Sequence, residues 1–209
     1  MKCLKNAWPQ YWYEKAIKIK IPNWVKSKEI DVYKEKDINN KSIYIVAKSI
    51  EELLNELGLN FNVKIKGNFE FPFKMREIVF NDLYDLKKIF TLNSAVFVLF
   101  KKYFGFYTDS SKMIKKTVGM SSFYRGISLV QELDNKENNI GLNVVIKHEL
   151  AHLLGLSSHH LNNKCLMLPQ FNYKLLQFNY NKLCYDCYSA LIAFWSGIEE
   201  KTNKKYLKS

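Results

Sequence analysis

All four histidines of the 209-residue chain, His148, His152, His159 and His160, fall within the thirteen-residue stretch HELAHLLGLSSHH. The first two form an HExxH motif with Glu149. Residues four apart on a helix share one face, about a turn apart, so two imidazoles at this spacing can hold one metal ion. The intervening carboxylate can reach a water on that ion. Neutral imidazoles with a carboxylate beside them suit zinc, and the chemistry they point to is metal-assisted hydrolysis.

The cysteines repeat the clustering. Cys3 stands alone, whereas Cys165, Cys184 and Cys187 all follow the histidines, the last two as CxxC. Where nothing in the sequence points to export, such a set is more often a metal site than a disulfide framework. His160, five residues before Cys165, completes a four-ligand set. A zinc ion bound by His160, Cys165, Cys184 and Cys187 has no open position, which makes the site structural. A CxxC redox pair and three unligated core thiols are the other readings of these cysteines.

The elements that must position these residues follow from hydrophobic periodicity. Asn139 to Leu154 reads as the motif helix, with Leu142, Val145, Ile146, Leu150 and Leu153 at helical spacing beside the histidine face. Gly155 can take the left-handed conformation that ends a helix and turn the chain back, so that His159 becomes a third ligand. Upstream, Ser42 to Lys48 (SIYIVAK) reads as a buried strand, and Ser49 with Glu52 as the capping box of a helix that stops at Gly58. Phe61 to Lys66 and Ala95 to Phe100 read as strands, Asn81 to Phe90 as a helix, and Val118 to Val130 as two strands joined at Tyr124, Arg125 and Gly126. Strand, helix, strand, helix and further strands imply a mixed sheet with helices packed on it.

Composition bounds the function classes. With 47% hydrophobic and 15% aromatic residues the chain can bury a sizeable core, and it is not a disordered segment. The start, MKCLKNAWPQYWYEK, lacks an uninterrupted apolar segment, and no run approaches the roughly 18 apolar residues of a membrane span. A cytoplasmic protein is expected. The net charge of +12 raises the question of nucleic acid, but Arg76 and Arg125 are the only arginines. Arginine forks onto phosphate and guanine, so its scarcity argues against specific readout. Dispersed lysine on solvated faces accounts for the charge more simply.

HELAHLLGLSSHH, Cys165-Leu166-Met167 and Cys184-Tyr185-Asp186-Cys187 together resemble the archaemetzincins, metzincins in which an extended HExxHxxGxxH motif joins HCxxxxCxM and a later CxxC. The resemblance covers about Ser42 to Ala193. This chain departs from the pattern in two places: its third histidine comes one residue late, with Ser158 where the family has histidine, and His160 replaces a cysteine. One extra residue after Gly155, Ser157 or Ser158, explains both. Histidine and cysteinate are both good zinc ligands.

The resemblance implies an α+β metzincin-like zincin: a mixed β-sheet with helices in an N-terminal lobe to about residue 155, a mostly helical C-terminal lobe, and a cleft between them. It implies two zinc ions per chain, a catalytic one on His148, His152 and His159 and a structural one on His160, Cys165, Cys184 and Cys187. Glu149 would be the general base and Met167 would lie in the turn beneath the catalytic zinc. A peptide or protein substrate would add as a strand along an edge near Gly126, Ile127 and Ser128. The domain would span residues 42–200, with 1–41 as an extension packed on it through aromatics such as Trp12 and Trp24, and 201–209 as a basic tail. Three alternatives remain: a DNA-associated HExxH protease of the SprT type, a zinc protein whose shifted third histidine has cost it catalysis, and a globular protein whose histidines merely satisfy hydrogen bonds. Oligomeric state is not legible.

Overall fold

A six-residue apolar run with no polar interruption, AVFVLF at Ala95–Phe100, needs cover on both faces to form a strand, and the fold supplies it. The computed structural model describes residues 9–70, 82–90, 93–101, 104–107, 114–132, 139–157, 159, 165–168 and 181–206. Along the chain come α1 (Pro9–Lys18), α2 (Asn23–Ser27), β1 (Glu29–Glu35), α3 (Asn40–Glu56), β2 (Asn62–Phe69), α4 (Asp82–Ile89) and β3 (Ala95–Phe100). They are followed by β4 (Phe104–Tyr107), β5 (Ile114–Thr117), β6 (Gly119–Ser122), β7 (Ile127–Gln131), α5 (Asn139–Leu153) and α6 (Tyr185–Tyr206). Five strands form one mixed sheet in the order β2-β1-β3-β7-β6. Its first four strands are parallel, and β6 closes the sheet antiparallel to β7. β4 and β5 form a separate antiparallel pair.

Alternation along β3 divides the core in two. Ala95, Phe97 and Leu99 join the larger cluster with α1, α3, α5 and α6. Val96, Val98 and Phe100 meet Leu83, Leu86 and Phe90 from α4 and its end on the opposite face. The two-residue period of a strand sends successive side chains to opposite faces, so a continuous apolar run marks a doubly covered strand.

The first expected strand is a helix. Residues 42–48 lie inside α3, whose buried Ile43, Val46, Ala47, Ile50, Leu53 and Leu54 recur at helical spacing over the full seventeen residues. The β-branched cluster Ile43-Ile45-Val46 misled because a seven-residue window is too short to show that period. The true N-cap is Asn39, whose side chain accepts from the Lys41 N–H, and Ser49 lies mid-helix with its hydroxyl bonded to the Ile45 carbonyl. Glu52 pairs instead with Lys147 of the motif helix at 2.8 Å. Gly58 does end α3, at φ 65°.

The strand that opens the pattern is β1, thirteen residues earlier than expected and flanked by β2 and β3. A boundary at residue 41 therefore falls within the fold, because residues 29–35 form an inner strand. Trp24 is buried against Phe123 and Trp195, and Trp12 against Phe194. The expected tail does not begin at 201, since α6 continues to Tyr206 and the Lys201 ammonium donates to the Ile17 and Ile19 carbonyls at 2.6 Å. Among the described residues no helix is long and apolar enough to cross a membrane.

Candidate metal centres

The motif helix α5 begins at Asn139, as expected, and carries His148 and His152 on one face. It ends in a Schellman motif: the Leu156 N–H donates to the Ala151 carbonyl and the Gly155 N–H to the His152 carbonyl, each at 3.0 Å. Gly155 sits at φ 117°, and a Cβ there would lie 2.7 Å from the Phe194 ring. Both conformation and space demand glycine. The reversal brings His159 back over the helix, so the extra residue in this loop is accommodated without losing the third histidine.

The three imidazoles converge through Nε2. His148 and His152 lie 3.2 Å apart by these nitrogens, and each is 3.0 Å from that of His159. A tetrahedral zinc with bonds of about 2.0–2.1 Å needs neighbouring nitrogens about 3.3 Å apart, so the trio fits the ion with small adjustment. The far nitrogens settle the tautomers. His148 Nδ1 is 2.7 Å from the Leu166 carbonyl and His152 Nδ1 is 2.5 Å from the Leu156 carbonyl. A carbonyl only accepts, so both Nδ1 atoms carry the proton and both Nε2 lone pairs point inward. Burial lowers the pKa of His148 to about 3 and of His152 to about 4, each helped by a neighbouring imidazole, and lowers that of His159, the most exposed of the three. Three neutral lone pairs in mutual contact repel one another unless a cation sits among them.

The Glu149 side chain meets β6. Its carboxylate accepts from the Ser121 hydroxyl at 2.7 Å, and Ser121 exchanges a 2.8 Å hydrogen bond with Ser128. Burial raises the Glu149 pKa to about 8, opposed by the Ser121 bond. Gly119 makes the room: a Cβ there would lie 2.5–2.6 Å from the Glu149 carboxyl end. Sequence reasoning missed Gly119 and Ser121, although an isolated glycine in a strand pattern is a signal of close approach.

Cys165, Cys184 and Cys187 form the second trio, their sulfurs within 4.8 Å of one another. Cys165 and Cys187 are 3.8 Å apart by sulfur, the separation of about 3.8 Å that two thiolates at 2.3 Å from a tetrahedral zinc require. The Cys165 sulfur also accepts the N–H of Met167 at 3.4 Å and of Cys184 at 3.3 Å. Met167 is fully buried in the turn 165–168. His160, expected as fourth ligand, lies outside the described residues.

Two solved structures share this architecture. Archaemetzincin from Methanopyrus kandleri superposes with a TM-score of 0.64 at 17% identity, over 80% of this chain and 95% of that one. The chain has the archaemetzincin fold. Metalloproteinase-II from Bacteroides fragilis matches with a TM-score of 0.54 at 16% identity, over 90% of this chain and 60% of that one. No protein-family model and no curated protein matches the sequence.

On the archaemetzincin fold one sequence expectation needs correction. Gly126, Ile127 and Ser128 do not line an exposed strand edge, because β7 is hydrogen-bonded to β3 on one side and β6 on the other. The turn at Gly126, φ 62°, packs on Trp24, where a Cβ would lie 2.4 Å from the indole ring. The last strand of the sheet is β6, paired antiparallel to β7 across the expected turn at Tyr124, Arg125 and Gly126.

Proposed function

We propose that the chain is a zinc-dependent peptidase in which His148, His152 and His159 hold the catalytic ion and Glu149 is the general base. The observation that carries this reading is the convergence of three Nε2 lone pairs within 3.2 Å, on the helix that also bears Glu149. A zinc ion there supplies a Lewis acid, lowers the pKa of a bound water from about 15.7 toward about 7 and favours the ionised form of the nearby carboxylate. Glu149 takes the proton of the attacking water and returns it to the leaving amine. Ser121 steadies the carboxylate through its hydroxyl. β6, last in the sheet and antiparallel to β7, offers an extended peptide its half-buried Ser121–Ser122 end beside Glu149, and the substrate is a peptide or protein. Cys165, Cys184 and Cys187, with His160 as fourth ligand, hold a structural zinc; Met167 packs in the turn between the two sites.

The return of His159 to the other two imidazoles favours an active enzyme over a zinc protein silenced by its longer loop. Glu149→Ala tests the assignment. It is expected to keep zinc at wild-type stoichiometry and to lower peptide hydrolysis by about 10²–10⁴-fold. Turnover equal to wild type would remove Glu149 from the mechanism.

A further inference from the structure

One carbonyl joins the two metal centres. Leu166 follows Cys165 directly, and its oxygen is the atom to which His148 Nδ1 donates, at 2.7 Å. The turn that presents this oxygen is fixed from the sulfur side. The Cys165 sulfur accepts the Met167 and Cys184 N–H groups, the Cys165 carbonyl accepts the Leu168 N–H at 3.1 Å, and the Leu166 N–H donates to the Lys182 carbonyl at 2.8 Å. Cys165, Leu166 and Met167 are all fully buried.

His152 is anchored differently. Its Nδ1 donates to the Leu156 carbonyl, which belongs to the cap of its own helix. The two helical imidazoles therefore depend on different parts of the molecule: His152 on the local turn at Gly155, His148 on the cysteine turn eighteen residues away.

We propose that the cysteine centre is a positioning device for the histidine centre, acting through the Leu166 carbonyl on the tautomer and aim of His148. This rests on the peptidase reading above. Metal on the thiolates holds the Cys165 turn, and the turn holds His148 with its Nε2 lone pair inward. Without that metal the sulfurs lose their common partner, the Leu166 oxygen loses its fixed position, and His148 loses the acceptor that selects its tautomer. Coupling of this kind is reciprocal, so an occupied histidine centre strengthens metal binding at the cysteines by the same factor.

Cobalt separates the two centres spectroscopically, since only the cysteine site gives a thiolate-to-cobalt charge-transfer band. Affinities are measured by chelator competition in wild type, in C184S, which disables the cysteine site, and in H159A, which disables the histidine site at its most exposed ligand. The expected result is a 10–100-fold weaker histidine site in C184S and an equal weakening of the thiolate-cobalt band's affinity in H159A. In nitrogen-15-labelled protein the hydrogen-bonded Nδ1 proton of His148 is lost or displaced in C184S, while that of His152 stays. Affinities within twofold of wild type in either folded variant overturn the proposal. If C184S does not fold, H159A alone decides. Failure of the peptidase reading looks different: fewer than two cobalt ions bind to the wild type, or E149A remains active.

Discussion

The histidine trio and the cysteine trio are similar in size and opposite in construction. The imidazoles come from one helix and the loop that closes it, within twelve residues of sequence, and burial keeps them neutral with their lone pairs already inward. The thiols come from a turn, from the residue before α6 and from its first turn, and those of Cys184 and Cys187 resist ionisation. The Cys165 sulfur and burial push Cys187 up, and burial pushes Cys184 up. Thiolate, not thiol, is the ligand. The contrast teaches that burial and fixed carbonyl acceptors preset the imidazoles as neutral donors, whereas the cysteines must lose protons before they can hold an ion.

Metal removal is the strongest way to break that contrast. Loss of the cysteine-site ion is expected to cost roughly 5 kcal/mol or more of stability, because metal binding there is in large part folding energy. Loss of the histidine-site ion should cost about 1–3 kcal/mol. Stripped protein given one equivalent of cadmium, a soft ion that prefers thiolate, should regain most of its lost Tm, and zinc should add the remainder. Equal recoveries from the two ions would show that the sites are built alike.

Gly155→Ala comes next in size. A left-handed residue with a Cβ costs about 1–2 kcal/mol, and the Phe194 ring stands in the way, so a total of about 2–4 kcal/mol is expected. The damage should be local. Chelator competition should show zinc at the histidines weakened while the thiolate-cobalt band survives; simultaneous loss of both would place the loop and the cysteines in one unit.

The two sites were also unequally legible. HExxH fixed His148, Glu149 and His152 on a helix because i, i+4 spacing has one geometric meaning, and Gly155 announced the reversal that returns His159. The cysteines were recognisable as a set, but their contact with the histidines runs through a backbone carbonyl, and the side-chain pattern carries no trace of Leu166 oxygen. The fold shows the same division. AVFVLF declared itself as β3 from apolar content alone. β1 did not, since EIDVYKE is half charged: its buried Asp31 accepts from Ser94, which only the sheet brings near, and its buried Lys34 donates to the Ile38 carbonyl in the turn that follows. The first half of α3, residues 42–48, was mistaken for a strand because local β-propensity and helical period conflict there, and tertiary packing of Ile43, Val46 and Ile50 decides for the helix.

A pH series on metal-free protein sharpens the comparison further. Glu149, ordinarily near 4.5, is raised to about 8, so the folded state binds the extra proton and stability falls as pH rises from about 4.5 to 8. The buried histidines act in the opposite sense. Their lowered values make stability complete above about pH 6.5 and progressively lost toward about pH 3. Glu149→Gln removes the first effect, and should stabilise the metal-free protein by about 1–3 kcal/mol at pH 8 with no change at pH 4. Cys184 and Cys187 add little slope in this window, because raised thiols stay protonated through it. Urea unfolding at the two pH values measures the difference; an E149Q gain that is the same at both would assign it to packing.

The smallest effect belongs to Ser121. Its hydroxyl donates to Glu149 at 2.7 Å, and Ser128 supplies the hydrogen bond behind it at 2.8 Å, so the carboxylate is held by a chain that starts in the sheet and ends beside the histidines. One hydrogen bond to a charged group contributes about 1.5–3 kcal/mol at most, and Ser121 is only half-buried, so Ser121→Ala is expected to cost about 1 kcal/mol. Its catalytic signature should exceed its stability signature. A freed carboxylate samples orientations that do not face the water, so kcat falls about tenfold with KM unchanged, both zinc ions retained and the thiolate-cobalt band unmoved. Ser121→Thr, which keeps the hydroxyl, should restore most of the turnover. A KM change instead of a kcat change would move Ser121 from the base to the peptide, as a residue of the β6 edge that pairs with substrate.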